Sequence, residues 1–444
     1  MQVSRFPCDP GPAAWNALLP EERSRPALKQ SQSVDWLVIG AGFTGLAAAR
    51  RLSELHTTDR IAVLDASRVA EGPAGRNSGF MIDVPHDLTS SDYSGNAEHN
   101  QRETRLNRAG IDYARDAKNA YGMSDEAFCI SGKINGAITQ KGLEHNRAYA
   151  AHLDQLSEPY ELLDATSMQS ITGSESYIDG LYSPGSAMIQ PALFVRALAS
   201  GIESDRLTIY ENSPVVELTR KGPQWKARTP DSSVTAPRVI LAVNGHLESF
   251  GFFKRSLMHV FTYGSMTRAL TQSEVSTLGG RSHWALTPAD PLGTTVRRIS
   301  GTGGDRIIVR NRATFDPTLK VSDKRITRVA RDHDRSFHDR FPMLKQVEMQ
   351  YRWGGRLCLS RNNVPVFGEI DKNLYAACCQ NGLGTAKGMI SGKLAAELAS
   401  DQNSVLLDDQ LANLAPARLP PAPIASLGAN AYLRWGEYRA GKEL

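Results

Sequence analysis

Long apolar runs, clustered cysteines and blocks of one charge are all scarce in this chain of 444 residues, and each scarcity closes off a class of function. No stretch approaches the roughly 18–20 consecutive apolar residues of a membrane-spanning helix, and Met1 to Pro7 lack the apolar core of a secretory signal; a cytoplasmic protein without membrane insertion is expected. The five cysteines, Cys8, Cys129, Cys358, Cys378 and Cys379, are odd in number and show no CxxC spacing. That pattern predicts reduced thiols and no metal centre. Lys and Arg total 51 against 47 Asp and Glu, a net charge of +4 with no long basic run, so neither nucleic acid nor an anionic membrane is implied as a partner.

What is present is enough chain for two or three domains and one stretch with a definite physical reading. Leu37-Val38-Ile39 is a short apolar run that stops at Gly40, and residues 46–55 carry small and branched apolar side chains at helical spacing. A second apolar run, Ile61 to Leu64, ends at Asp65. The reading is strand, tight turn, helix, strand, with Gly40-Ala41-Gly42-Phe43-Thr44-Gly45 as the turn. Gly40 makes the bend, Gly42 lets a pyrophosphate approach the backbone, and Gly45 lets the helix pack close to the strand. Phosphates would sit on the free N–H groups of the helix start, and Asp65, followed by Ala66 and Ser67, would accept hydrogen bonds from ribose hydroxyls. This predicts a Rossmann-like dinucleotide-binding domain in an α/β protein.

About ten residues beyond the acid comes Gly75-Arg76-Asn77-Ser78-Gly79-Phe80. With this second glycine loop the chain resembles the D-amino acid oxidase superfamily of flavoenzymes, and within it the gamma-glutamylputrescine oxidoreductase group. The resemblance implies FAD as the dinucleotide and a two-domain α+β flavoenzyme in which an antiparallel-sheet substrate domain is inserted into the FAD-binding domain. It also implies FAD contacts at Val215 and at Ala242, Asn244 and Gly245, where plain sheet packing is the competing reading, and at Pro365. Asn381-Gly382-Leu383-Gly384-Thr385 opens a helix through Ala399 that in relatives points at the flavin ring. The likeness runs from about Trp15 to the segment 425–433.

The order of elements gives expected boundaries. Residues 1–33 are an N-terminal arm that packs across the surface; 34–122, 190–250 and 351–400 form the FAD-binding domain; 123–189 and 251–350 form the substrate domain; 401–444 are a tail packing on the body. Residues 81–95 read as irregular, 98–121 as a long helix with Leu106, Ile111 and Ala114 on its apolar side, and 142–156 as another helix. Strands are expected at 207–210, 215–218 and 239–245, and a charged, solvated helix at 326–341.

Departures from the family pattern bear on the substrate. Where amino-acid-oxidising relatives place a carboxylate-binding arginine, this chain has Leu357; where sarcosine-oxidase-like members attach FAD to cysteine, it has Gly355, with Cys358 out of register. Their oxygen-activating lysine is matched by Ile308, and Leu383 stands where many relatives have histidine. The expectation is therefore non-covalent FAD, a small-molecule amine oxidised by hydride transfer to flavin N5, an imine product that hydrolyses, and oxygen or another acceptor for the electrons. A secondary-amine or amino acid oxidase or dehydrogenase, sarcosine-, glycine- or pipecolate-like, is the alternative, and a flavin-bound protein without turnover is the alternative from another class. In the strand 306–312 the period of two sets Ile307 and Val309 on one face and Arg306, Ile308, Arg310 and Arg312 on the other. Arg310 is the candidate partner for a remote acidic group on the substrate, with Tyr263 completing the pocket.

Overall fold

The computed structural model describes residues 1–85 and 97–444, so most of the stretch expected to be irregular, 81–95, lies outside the described residues. Six strands make one sheet in the spatial order Leu207–Tyr210, Ile61–Leu64, Trp36–Ile39, Arg238–Leu241, Leu374–Cys378, Val366–Asp371. The first five are parallel and the last is an antiparallel edge. Trp36–Ile39, Ile61–Leu64 and Leu374–Cys378 are buried at every position, as strands covered by layers on both faces must be. The chain leaves Trp36–Ile39 towards Ile61–Leu64 on one side and returns at Arg238–Leu241 on the other, so the sheet order reverses beside Gly40, where connections part and leave a crevice.

Helices Phe43–Leu55 and Ala386–Ala399 pack on each other at close range, because Gly388 and Gly392 present no side chain there. A Cβ on Gly392 would lie 2.1 Å from the Thr44 carbonyl oxygen. The long helix is observed as Ala97–Ala120, with Leu106, Ile111 and Ala114 buried as expected. Val215 is followed by the strand Glu217–Lys221, which belongs to a separate four-stranded sheet with Gln224–Arg228, Ser233–Ala236 and Gln32–Ser33 rather than to the central one.

The second large sheet has eight strands, ordered Met349–Leu359, Met258–Thr267, Gly304–Phe315, Thr295–Gly301, Trp284–Pro288, Lys133–Ala137, Asp179–Ser183, Glu161–Asp164. All neighbours are antiparallel except Trp284–Pro288 with Lys133–Ala137. One face is covered by helix Asp323–Arg340, which corrects the expectation of a merely solvated helix at 326–341. Val329, His333, Ser336, Phe337 and Arg340 recur at helical spacing and are all buried, while Lys324, Arg328, Arg331, Arg335 and Asp339 are exposed.

A register shift between Thr262 and Tyr263 leaves Arg312 as the extra residue of a β-bulge, with φ +60°. Strict alternation thus stops at Asn311. Arg312 is turned to Asp332 and Glu437, at 2.9 and 2.8 Å, and so is not on the face shared by Ile308 and Arg310.

Both ends of the chain are tied into the body. Trp15 in the arm is fully buried and its indole N–H donates to the Asn77 carbonyl at 2.8 Å, so the arm enters the core instead of only crossing the surface. The tail contains helices Val405–Leu411 and Ala422–Ala440. Glu437, 2 % exposed, accepts from Arg312, Arg434 and the Ala313 N–H, and Glu443 accepts from the Ile138 and Thr139 N–H groups. Breaking such a buried ionic network strands charges away from water. Glu437→Ala is expected to destabilise the protein by about 3 kcal/mol and to expose the segment before Ala422 to protease, as measured by thermal melting and limited proteolysis.

Candidate active site

The two large sheets enclose a cavity of about 1590 Å³ that runs from the glycine turn at residue 40 to the C-terminal helix. The turn shows why three glycines stand where they do. Gly40 has φ +106°, and a Cβ there would lie 2.5 Å from the Ala242 carbonyl oxygen. A Cβ on Gly45 would lie 1.7 Å from the Gly40 carbonyl oxygen, so Gly45 serves the helix-to-strand contact. Gly42 is different: an added Cβ would meet only Ala74 Cβ, at 3.7 Å, and the protein itself does not require glycine. Gly42 instead faces the cavity at the N-cap of helix Phe43–Leu55, where the first-turn N–H groups have no helical partners.

Asp65 Oδ2 accepts from the Ala41 N–H at 2.7 Å and Oδ1 from the Ser67 N–H at 2.8 Å, which fixes the carboxyl at the end of its strand beside the turn. Burial pushes its pKa up to about 6, against the pull of those two N–H groups. Four polar atoms in the cavity wall are buried without a protein partner among the described residues, Arg102 Nε, His246 Nδ1, His259 Nδ1 and Gln380 Nε2. Burial and the neighbouring Arg356 guanidinium push His246 down to about 2, so its ring is neutral. A glycine cradle at a helix start, an oriented acid and unmet donors in one long crevice suit a dinucleotide, the two phosphates at residues 40–44 and the ribose at Asp65.

The cavity is lined by Gly40, Ala41, Gly42, Phe43, Thr44, Asp65, Ala66, Ser67, Arg76, Asn77, Ser78, Gly79, Phe80, Val215, Ala242, Asn244, Gly245, Asn381, Gly382, Leu383, Gly384 and Thr385, so the structure brings these positions from six separate segments together. Gly45, Gly75 and Pro365 do not border it. Gly75 packs against Ala70, whose carbonyl oxygen an added Cβ would meet at 1.8 Å, and it is Val364 rather than Pro365 that reaches the wall.

Arg76 borders the cavity, yet its guanidinium donates to the carbonyls of Glu71, Pro10 and Gly11, which makes it an anchor for the N-terminal arm. Arg297, not picked out from the sequence, clamps the same loop: fully enclosed, it donates to the Ser78 and Ile189 carbonyls at 3.1 and 2.7 Å, and burial lowers its pKa to about 9. Its signal was present as a charged residue inside an alternating strand pattern, but nothing local says which loop it holds. Thr385, at the start of helix Ala386–Ala399, donates to the Phe80 carbonyl and so ties the two glycine loops together. In that helix's first turn Lys387 pairs with Glu103; burial works to raise Glu103, but the ammonium outweighs it and holds the carboxyl below its usual range.

Beyond these loops the cavity continues over the second sheet. Arg310 and Ile308 lie on the cavity face of strand Gly304–Phe315, and Arg310 Nη1 donates to Thr295 Oγ1 at 3.3 Å. Tyr263 borders the cavity, but its ring packs with Phe261 and Val329 and its hydroxyl bonds Thr314 Oγ1 at 2.6 Å; the ring belongs to the core under helix Asp323–Arg340 and does not complete the pocket. Leu357 lines the cavity within an apolar cluster, whereas Arg356 is committed to Asp9 through two hydrogen bonds at 3.0 Å. Cys358 is also in the wall; hydrogen bonding to Cys379 and burial raise its thiol well above the ordinary range, so it is a poor nucleophile.

The family model described as FAD dependent oxidoreductase, DAO, matches residues 35–398. The chain is 25% identical over 394 residues to a probable oxidoreductase OrdL of Haemophilus influenzae, covering 87% of this chain and 86% of that one. It is 25% identical over 384 residues to the gamma-glutamylputrescine oxidoreductase of Escherichia coli, covering 84% of each. Among solved structures, glycine oxidase from Geobacillus kaustophilus superposes with a TM-score of 0.70 at 17% identity, covering 86% of this chain and 99% of that chain.

The glycine geometry separates binding from folding. Gly42→Val is expected to fold with near-native melting yet purify without flavin, while Gly45→Val is expected to lose the fold itself. Asp65→Asn should weaken FAD binding by roughly 10-fold or more, the worth of a charge-assisted acceptor. Because only the ionised carboxyl is a pure acceptor, FAD affinity of the wild type should fall as the pH drops through about 6, and titration of apoprotein with FAD should show Asp65→Asn flat over that range.

Proposed function

The chain belongs to the DAO family of FAD-dependent oxidoreductases, and from that premise we propose that it oxidises the C–N bond of an amine that also carries a remote acidic group. The observation that carries this reading is Arg310, a guanidinium on the cavity face of the second sheet, beyond the glycine loops and one alternation from Ile308. FAD, when bound, supplies the two-electron acceptor for the C–H bond next to the substrate nitrogen. The chain's own residues bind, orient and exclude water. Arg310 Nη1, steadied by Thr295 Oγ1, is placed to pair with a carboxylate or similar group, for which a planar fork of donors is suited. Ile308 and Trp353, 4 and 3 % exposed, keep the neighbouring wall dry. Loss of a hydride and a proton leaves an imine, which water hydrolyses after release.

Leu357 favours this over α-amino acid oxidation, because the wall at that position offers an α-carboxylate no charge partner. The printed name of the Escherichia coli relative, a gamma-glutamylputrescine oxidoreductase, describes a protein acting on an amine joined to an acid-bearing group and supports the same class. The FAD is held without a covalent bond on this reading, since Gly355 offers no nucleophile and Cys358 is a neutral, buried thiol.

Anaerobic bleaching of the flavin by a panel of amines, with and without a terminal carboxylate, tests the reading; no bleaching by any amine would overturn it. Arg310→Ala should raise KM about 10-fold or more for the acid-bearing amines, with little change for neutral ones and unchanged FAD content. Acid precipitation should leave the yellow colour in the supernatant; colour retained by the pellet would show a covalent link.

A further inference from the structure

The C-terminal helix Ala422–Ala440 has two apolar sides, and the body of the protein covers one of them. On the inner side Ala425, Ala429 and Leu433 pack on Val260, Ala313 and Phe315, and the Asn430 amide exchanges hydrogen bonds with the Phe315 backbone at 3.1 and 3.0 Å. On the outer side Ile424, Leu427, Ala431, Trp435 and Tyr438 follow one another at steps of three or four residues, which at 3.6 residues per turn makes a single stripe. All five are exposed, the four large ones by between 56 and 84 %. Side chains of that size present roughly 600 Å² of surface, the upper end of the largest apolar patch on an ordinary monomer. Trp435 is the one exposed tryptophan of six, the others being at most 7 % exposed.

The charges of the same segment are sorted by sign. Arg418, Arg434, Arg439 and Lys442 are exposed, whereas Glu437 and Glu443, the only acidic side chains between residues 411 and 444, are buried in bonds to the body. Arg434 and Arg439 fall on the two borders of the stripe, and the Arg439 guanidinium lies over the Trp435 ring, 4.9 Å from its centroid. A net charge of +4 over the whole chain does not show this, because it is the burial of two carboxylates that leaves this face cationic. We infer that the face docks on a bilayer of anionic lipid, with the helix lying in the plane of the headgroups. Aromatic and aliphatic side chains bordered by arginine and lysine suit that boundary, where apolar groups enter the acyl edge and cations meet lipid phosphates. The attachment is peripheral, since the helix's other side is committed to the protein. A second copy of the chain is a poorer occupant: a two-fold contact would set this face against itself and bring cations together with no exposed acid of the segment to answer them. The inference goes beyond the amine reading and does not depend on it.

The test mixes the holoenzyme with vesicles of phosphatidylcholine alone, or of phosphatidylcholine and phosphatidylglycerol in a two-to-one ratio, and reads co-sedimentation and the emission of Trp435. Binding to the anionic vesicles with a blue shift is expected, and it should weaken as salt is raised towards about 1 M, where charges are screened beyond about 3 Å. Arg439→Gln with Lys442→Gln should lower the affinity about 25-fold, fivefold for each cation removed. Leu427→Ala with Tyr438→Ala should lower it about tenfold or more, while FAD content and melting temperature stay unchanged, because both side chains are exposed. Three outcomes would overturn the docking face: no binding to anionic vesicles, binding that both double variants leave intact, or a dimer in light scattering whose Trp435 is shielded from acrylamide without lipid.

Discussion

The structure depends on one close approach, the turn between Ile39 and Phe43 lying directly against the end of the next parallel strand. Gly40 meets the Ala242 carbonyl and Gly45 meets the Gly40 carbonyl at distances that leave no room for a side chain. That contact lets helix Phe43–Leu55 start at the crevice with its free N–H groups turned into the cavity, and it fixes where Asp65 must end its own strand. Helix Ala386–Ala399 then uses the same device, small residues facing small residues, to bring the segment Asn381 to Thr385 to the same crevice. The nucleotide half of the site follows from backbone proximity, and side-chain chemistry enters mainly at Asp65.

The other half depends on departures from regular structure. A single extra residue at Arg312 shifts the phase of strand Gly304–Phe315, so that Arg310 faces the cavity, Arg312 is pulled to Asp332 and Glu437, and Ala313 and Phe315 return to the cavity side. Without the bulge the strand would set three arginines in one row. With it, Arg310 lies on the cavity face and Arg312 holds the C-terminal helix.

Long-range ties explain why the ends of the chain matter to a site built near its middle. Asp9 occupies Arg356, Trp15 and Arg76 bind the arm to the second glycine loop, and Glu437 and Glu443 hold the tail against the second sheet. Each tie uses a buried charge or donor satisfied by a distant partner, which is costly to break and so keeps the arm and the tail helix in place.

The sequence by itself determined the nucleotide half, because its requirements are local: a strand stopping at Gly40, glycines at fixed spacing, an acid at the end of the next strand, and a second glycine loop at Gly75 to Gly79. Those features are dictated by backbone conformation and by period, both of which are written in a short window. Three decisions needed the tertiary structure. The bulge at Arg312 is invisible to a period-of-two reading, since nothing in Arg310-Asn311-Arg312-Ala313 marks the extra residue, and so Arg312 was set on the wrong face. Tyr263 sits in an alternating strand whose inner side faces helix Asp323–Arg340, and which side is inner is fixed by what packs there rather than by the alternation. The segment 401–444 carries apolar residues at helical spacing, but that it forms a cavity wall depends on Glu437 reaching Arg312 across 125 positions of chain, a contact set by the folded geometry and by no local preference.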